Sequence, residues 1–452
     1  MNLRPTVLPA GKPKYLAFVD LIERNIASGD LRDGDRLPPQ RDLAESFNLT
    51  IATITKAIRE AARRGIVTAR AGSGTFIRIG SPQSEIQENS VDLSLNTVPP
   101  EPTKRFLDAA FAELAKRRIA DVACSYKSAT GTETHRTLMR GWLAARGLSP
   151  QSERILLTHG SQHAIAACFF ALTKPGDVVL CEEWTYTGIR RLAELNHVKL
   201  EGVKMDKQGL DPRSLSEKLK SSGAKALICS AAVQNPTTAT MSSERRAEVA
   251  TMCQAANVVV IEDDIYGHLS GEKVPPLAAL SPSNVIHISS MSKSLAPGVR
   301  LGTMVAPQPL VPALSNALVA LHWTAPTLWL AIFEILVDNG AIEKCLAEHR
   351  AEARRRLDLY GEVVGPFPRP ELPSYHIWQE LPDTWRSEDF VAELAAKRIR
   401  VSPAHHFAVG DVLKPRSHVR ICLGGGDVDQ LRAQLSQFRS VLSRPRSGTT
   451  II

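Results

Sequence analysis

Five short, almost unbroken apolar runs occupy the middle of the chain: Ile155-Leu156-Leu157-Thr158, Val178-Val179-Leu180, Ala226-Leu227-Ile228-Cys229, Val258-Val259-Val260-Ile261 and Val285-Ile286-His287-Ile288. A strand that is apolar at every position, rather than at alternate ones, is covered on both faces. Stretches of helical character separate the runs, which predicts an α/β layered domain around a mainly parallel sheet. Ligands of such sheets bind beyond the carboxyl ends of the strands, so the residues after each run are where chemistry is to be sought.

After the first run, Thr158-His159-Gly160-Ser161-Gln162 opens an Ala-rich helix whose free N–H groups and dipole suit a phosphate. After the third comes Gln234-Asn235-Pro236-Thr237, and after the fourth Glu262-Asp263-Asp264-Ile265-Tyr266. Acidic groups at a buried strand end are costly without a positive partner, either a divalent cation or a protonated base. After the fifth, Ser289-Ser290-Met291-Ser292-Lys293 runs on to Arg300. Ser290, Ser292 and Arg300 suit a dianionic phosphate. Lys293, among hydroxyls and near another cation, suits Schiff-base chemistry. Seven scattered cysteines without a C-x-x-C pair predict neither a disulfide framework nor a zinc site, and no metal is expected.

The amino-terminal part has a different pattern. The chain carries a formal charge of +8, and residues 1–80 alone hold 13 basic and 8 acidic side chains. A small basic unit ahead of a nearly balanced body fits a DNA-binding head. Tyr15, Phe18, Val19, Ile22 and Ile26 recur at helical spacing, with Gly29 and Asp30 as a stop. A second helix carries Leu43, Ala44 and Phe47. Thr50 caps a third that buries Ile54, Ala57, Ile58 and Ala61, exposes Thr53, Lys56, Arg59, Arg63 and Arg64, and ends at Gly65. Residues 66–70 and 75–77, joined by Ala71-Gly72-Ser73-Gly74, form a two-stranded ribbon. That order is a winged helix.

The wording Ile26-Ala27-Ser28-Gly29-Asp30-Leu31, Gly34-Asp35-Arg36-Leu37-Pro38, Arg41-Asp42-Leu43-Ala44 and Gly72-Ser73-Gly74-Thr75-Phe76 resembles the GntR-type winged helix of bacterial repressors. The resemblance implies that Arg41, Thr50, Thr53 and Lys56 contact phosphates and base edges of double-stranded DNA. Where that family often has Arg between the wing glycines this chain has Ser73, which puts a minor-groove contact in question. The four motifs after the strands, in order, resemble the fold type I aminotransferases that use pyridoxal 5′-phosphate, over roughly residues 104–440.

That second resemblance implies roles for particular residues. Lys293 would form the Schiff base with the cofactor, and Asp263 would pair with the pyridine nitrogen. Asn235 and Tyr266 would bond the ring oxygen. Ser161, Gln162, Ser290, Ser292 and Arg300 would cradle the phosphate, and Tyr186 would stack on the ring. Tyr126 resembles the tyrosine that reaches the neighbouring subunit's phosphate, which implies a homodimer. Arg420, in Val419-Arg420-Ile421-Cys422-Leu423, would grip a substrate carboxylate. Thr238 stands where this family commonly has Gly.

The expected architecture is therefore an N-terminal winged helix-turn-helix, residues 12–78, a linker, 79–103, and a fold type I aminotransferase-like body, 104–445. The body would have a large α/β/α domain with a mainly parallel sheet plus a smaller α+β domain. The linker is rich in Ser, Pro, Gln and Glu, but its middle, Val91-Asp92-Leu93-Ser94-Leu95-Asn96, is apolar enough to dock on the body. This layout resembles the MocR-type transcriptional regulators. It implies a DNA-binding regulator that binds pyridoxal 5′-phosphate and senses an amino compound. A genuine aminotransferase carrying a DNA-binding head, or a sensor of the cofactor itself, is also compatible with these residues. With 43% hydrophobic and 23% charged residues, disorder is excluded. No apolar run approaches the roughly 18 residues of a membrane span, and Met1 to Gly11 lacks the apolar length of a signal peptide, so the cytoplasm is expected.

Overall fold

The computed structural model describes residues 13–27, 30–31, 35–63, 66–70, 74–77, 91–117, 124, 126–271, 274–410 and 417–444. The Gly29 stop, the Gly65 helix end, the wing turn with Ser73, the polar linker stretch up to residue 90 and residue 445 lie outside the described residues. Two compact units divide the chain, Met1–Glu88 and Asn89–Ile452.

In the first unit, α1 (Lys14–Ala27), α2 (Gln40–Ser46) and α3 (Ile51–Arg63) precede an antiparallel ribbon of β1 (Val67–Arg70) and β2 (Gly74–Ile77). One apolar stripe from each helix closes a single core. Phe18, Val19 and Ile22 meet Leu43, Ala44, Ile54, Ala57, Ile58 and Ala61, and Leu37, Val67 and Ile77 seal the ribbon side. Asn48, at φ 49°, turns the chain between α2 and α3, a left-handed conformation that asparagine tolerates. Thr50 then caps α3, accepting the Thr53 N–H at 3.2 Å.

The second unit is built on a seven-stranded sheet. Its strands are β3 (Ile155–Thr158), β4 (Val178–Glu182), β5 (Lys199–Val203), β8 (Ala226–Cys229), β9 (Val259–Asp263), β10 (Val285–Ser290) and β11 (Gly302–Val305). A small hairpin, β6 (Met205–Asp206) and β7 (Gly209–Leu210), stands aside. The order is β3-β11-β10-β9-β8-β4-β5, parallel except for β11, which runs antiparallel to both neighbours. Side chains alternate between two cores, one on each face. Leu156, Val179, Ile228, Ile261 and Ile288 point one way, against helices Ser161–Leu172 and Val311–Leu321. Leu157, Leu180, Leu227, Val260 and Val285 point the other way, against helices Glu133–Ala144, Ser243–Ala255 and Thr327–Asp338. The five expected runs are all strands. The edge strand β5 escaped notice because Lys199-Leu200-Glu201-Gly202-Val203 is covered on one side only.

A smaller layer follows: antiparallel β12 (His376–Glu380), β14 (His418–Cys422) and β13 (Ser402–Pro403), packed on helices Ala341–Val364, Ser387–Ala396 and Val428–Leu442. The middle of the expected linker docks here. Val91 and Leu93 are part of this core, and Leu93 O accepts the Cys422 N–H at 2.8 Å. Val91 and Leu93, within the expected linker, thus pack with the smaller layer. Among the described residues no helix is long and apolar enough to cross a membrane.

The antiparallel strand β11 is threaded tightly between β3 and β10. A Cβ on Gly302 would stand 2.6 Å from Ser289 O and 2.9 Å from Thr158 Oγ1. Gly302→Ala is therefore expected to lower the unfolding free energy by about 1–3 kcal/mol, seen as a lower urea midpoint at unchanged slope. An unchanged midpoint would contradict this packing.

Candidate functional site

Three acidic residues end β9, and each meets a different fate. Glu262 accepts the N–H groups of Leu277 and Ala278, at 2.8 and 3.1 Å. Asp264 pairs with Arg146 Nε and with His287 Nε2, each at 3.0 Å and all three side chains buried. Burial alone would raise the Asp264 carboxyl, but the Arg146 guanidinium and His287 hold it well below the usual carboxylate range. Asp263 is 4% exposed, and its Oδ1 is buried with no hydrogen-bond partner. Burial, with the neighbouring charge of Asp264, pushes it up to about 7, against the pull of His287 and Lys293. The expected demand for a positive partner is thus met within the chain for Asp264 and left open for Asp263.

Opposite this carboxylate, Lys293 follows β10. Burial lowers its ammonium to about 8; Arg420 and Arg300 push the same way, against Cys422 and Asp263. Its Nζ donates to the carbonyl of Asn96. The side chain of Asn96 accepts the Tyr266 hydroxyl at 2.8 Å, while Asn96 Nδ2 is buried and unpartnered. Arg420, on β14, donates from Nη1 to Asn235 Oδ1 at 2.9 Å and from Nη2 to Ser94 O at 2.6 Å. Its guanidinium lies 4.8 Å over the Phe407 ring, and its Nε is buried without a partner.

A second cluster forms where β3 meets the helix Ser161–Leu172. Gly160, at φ 84°, starts that helix with no side-chain cap, so its first N–H groups are left for a ligand. A Cβ at Gly160 would stand 2.8 Å from Arg300 Nη2, a close approach that only glycine permits. Arg300 donates to Ser292 Oγ at 3.0 Å and to His159 O at 3.2 Å, and Ser290 Oγ lies 3.0 Å from Ser292 Oγ. Gln162 Nε2 donates to Gly188 O at 3.4 Å, and its Oε1 is buried and unpartnered. The Tyr186 ring packs against the same Gly188. Ser161, Gln162, Tyr186, Ser290, Ser292 and Arg300 therefore surround one corner of the site. Tyr126 is placed on the surface, 79% exposed.

This donor set fits pyridoxal 5′-phosphate. An orphaned buried carboxylate oxygen matches a protonated ring nitrogen, an uncapped helix start with Arg300 matches a phosphate, and an amine lowered toward neutrality matches an aldehyde. Sequence reasoning missed Ser94 and Asn96 as site residues, although the docking of their segment was legible. It also missed Glu182, which ends β4, accepts the Ser230 N–H at 2.7 Å and is pushed up to about 8 by burial. It follows the second run, the one whose end shows no motif in the sequence. Thr238, noted for replacing glycine, sits at φ 64°, the left-handed region a β-branched residue rarely enters.

In the first unit, Arg41 and Thr50 are exposed, as are Ile51, Ala52, Lys56 and Arg59 along α3. Thr53 is half-buried, its hydroxyl 2.8 Å from that of Thr50. Lys56 Nζ lies 4.2 Å over the Tyr15 ring, so its charge is held against α1 while its end faces solvent. Thr55 donates to Gln40 Oε1 at 2.7 Å and ties α3 to the start of α2.

Comparison with known proteins agrees with both halves. Residues 14–77 match the bacterial regulatory proteins of the gntR family, and residues 88–438 match the aminotransferases of class I and II. The chain is 30% identical over 430 residues to the uncharacterized HTH-type transcriptional regulator YdeF of Bacillus subtilis, covering 93% of each. It is 24% identical to the HTH-type pyridoxine biosynthesis transcriptional regulator PdxR of Corynebacterium glutamicum, covering 97% of each. Its fold is also that of an archaeal alanine:glyoxylate aminotransferase, with a TM-score of 0.73 at 22% identity, over 86% of this chain and 94% of that one. The gntR-family match ahead of the aminotransferase match, together with the likeness to YdeF along nearly the whole chain, places this chain in the family of MocR-type HTH transcriptional regulators, in which a gntR-family DNA-binding domain precedes a pyridoxal-phosphate-binding aminotransferase domain.

Proposed function

We propose that this chain senses a small amino compound bearing a carboxylate and converts its binding into a change in affinity for a DNA operator. The observation that carries the reading is the pairing of Lys293 and Arg420 with one strap of chain, Ser94–Asn96, which lies between the site and the start of the body. When bound, pyridoxal 5′-phosphate supplies a carbonyl that condenses reversibly with amines and a ring that withdraws electrons. The residues of the chain do the rest. Lys293 would anchor the aldehyde carbon, Asp263 would hold a proton at the ring nitrogen, and Asn235 and Tyr266 would bond the ring oxygen. Ser161, Gln162, Ser290, Ser292 and Arg300 would receive the phosphate, and Tyr186 would cover the ring.

Arg420 then has a choice of acceptors. A carboxylate brings its own charge and a bidentate fit to a guanidinium, neither of which a neutral carbonyl offers, so a ligand carboxylate would displace Ser94 O. Lys293, once joined to the cofactor, would likewise release Asn96 O. Both changes fall on residues 91–98, which follow the winged helix in sequence after residues 78–90. A shift in operator affinity requires only that the two arrangements of this strap bind DNA with different free energies. The exposed Tyr126 supports a homodimer in which it completes the partner's phosphate site, and a dimer would read two half-sites in the operator. We place the protein in the cytoplasm, with its DNA.

Asp263 offers a test of the cofactor side. The unfolded chain releases this proton near the ordinary value of 3.8 and the folded chain near 7. Unfolding thus sheds a proton in that window, and the Asp263 contribution makes the cofactor-free protein less stable as pH rises from about 4 to about 7. Urea unfolding of Asp263→Asn is expected to lack this component, so that its stability gain over the wild type grows across the window and levels off above it. A constant difference would contradict the burial of an unpaired carboxyl.

On the DNA side, Arg41→Ala with Lys56→Ala is expected to flatten the dependence of log affinity on log salt by about 0.9 per lost phosphate contact. Equal slopes would remove these residues from the interface. Repeating the titration with pyridoxal 5′-phosphate and a panel of amino acids is expected to shift operator affinity for the wild type and not for Lys293→Ala. Identical responses would refute ligand control through this site.

A further inference from the structure

The face of α3 that turns away from its core has an uneven chemistry. Ile54, Ala57, Ile58 and Ala61 are buried, and the exposed positions run Ile51, Ala52, Lys56, Arg59 and Ala62. Cations occupy the middle of the helix, and the exposed side chains of its first turn, Ile51 and Ala52, are apolar. Ile51 is 49% exposed at the first helical position. The polar group beside it, the Thr50 hydroxyl, is engaged in capping, accepting the Thr53 N–H.

Single exposed apolar side chains are ordinary on protein surfaces. Ile51 is set apart by its place. In helix-turn-helix proteins the amino-terminal residues of the second helix of the motif are the ones that meet base edges in the major groove, while lysine and arginine contacts to phosphate carry no sequence information. A hydrocarbon side chain at that position has no donor or acceptor to offer. The only apolar group that a standard base pair shows in the major groove is the 5-methyl of thymine. Ala52, also exposed, leaves room for a base edge to approach the isoleucine.

We infer that Ile51 is a specificity-determining residue that reads a thymine methyl group in each operator half-site. The inference rests on the DNA-binding reading of the first unit and adds a base to it. Lys56 and Arg59 set the strength and salt dependence of binding, and Ile51 biases the sequence.

The test uses the full-length protein. A duplex is first selected from a random-sequence library with the wild type, and each thymine in it is then replaced singly by uracil, which removes the methyl and keeps every hydrogen-bonding group. One position per half-site is expected to weaken wild-type binding about fourfold, the worth of one buried methyl, ~0.8 kcal/mol. Ile51→Ala, which changes an exposed helical position and should leave the fold intact, is expected to bind the thymine and uracil duplexes equally. Ile51→Val, which keeps a branched apolar end, is expected to retain the discrimination. Replacing the same thymine–adenine pair by 5-methylcytosine–guanine should weaken binding less than cytosine–guanine does. Wild-type indifference to every uracil, or equal sensitivity in Ile51→Ala, would overturn the inference while leaving DNA binding intact. Failure to select any duplex would overturn the DNA-binding reading and this inference with it.

Discussion

A carboxylate oxygen sealed inside a protein without a partner is among the most expensive features a fold can carry. Asp263 has such an oxygen at the carboxyl end of a central strand, and much of the second unit is arranged around it. The sheet places it between β8 and β10, so that the loops after both strands converge on it with Asn235 and Lys293. Arg146 and His287 are committed to Asp264 next door. Those internal cations meet one aspartate, and the other, on our proposal, serves a ligand with a protonated nitrogen.

The strap of residues 91–98 is the second constraint. Two hydrophobic anchors, Val91 and Leu93, hold it in the smaller layer, while Ser94 and Asn96 bond Arg420, Tyr266 and Lys293. Gly424 is close enough that a Cβ there would stand 2.0 Å from Thr97 O, so the strap lies hard against the loop after β14. Its contacts with Arg420 and Lys293 are neutral carbonyl acceptors on charged donors. Such contacts are good enough to keep the strap in place and weak enough to yield to an anion.

Much of this was legible in the residues. The five apolar runs became five strands because each is buried on both faces. The helical stripes of the first unit closed into one core because their spacing matches 3.6 residues per turn. Asn235, Asp263, Ser290, Ser292 and Lys293 were singled out because they follow those runs, and their proposed roles came from the resemblance. Physical reasons account for the rest. The β5 edge has no continuous apolar signal, and the antiparallel β11 is short and glycine-led. Ser94 and Asn96 meet Arg420 and Lys293 through backbone carbonyls, which leave no trace in side-chain identity. Ile51 went unread because an isoleucine beside a buried stripe resembles another core residue until its exposure is known. The partition of charge among Glu262, Asp263 and Asp264 was also invisible, since Arg146 is more than a hundred positions away from them.

The most direct test is to incubate the purified protein with pyridoxal 5′-phosphate, reduce with borohydride, digest, and map the modified peptide by mass spectrometry. One cofactor per chain, fixed at Lys293 and lost when Asp263 is replaced by alanine, is the result expected. Labelling spread over surface lysines, or none at all, would contradict the assignment of this site.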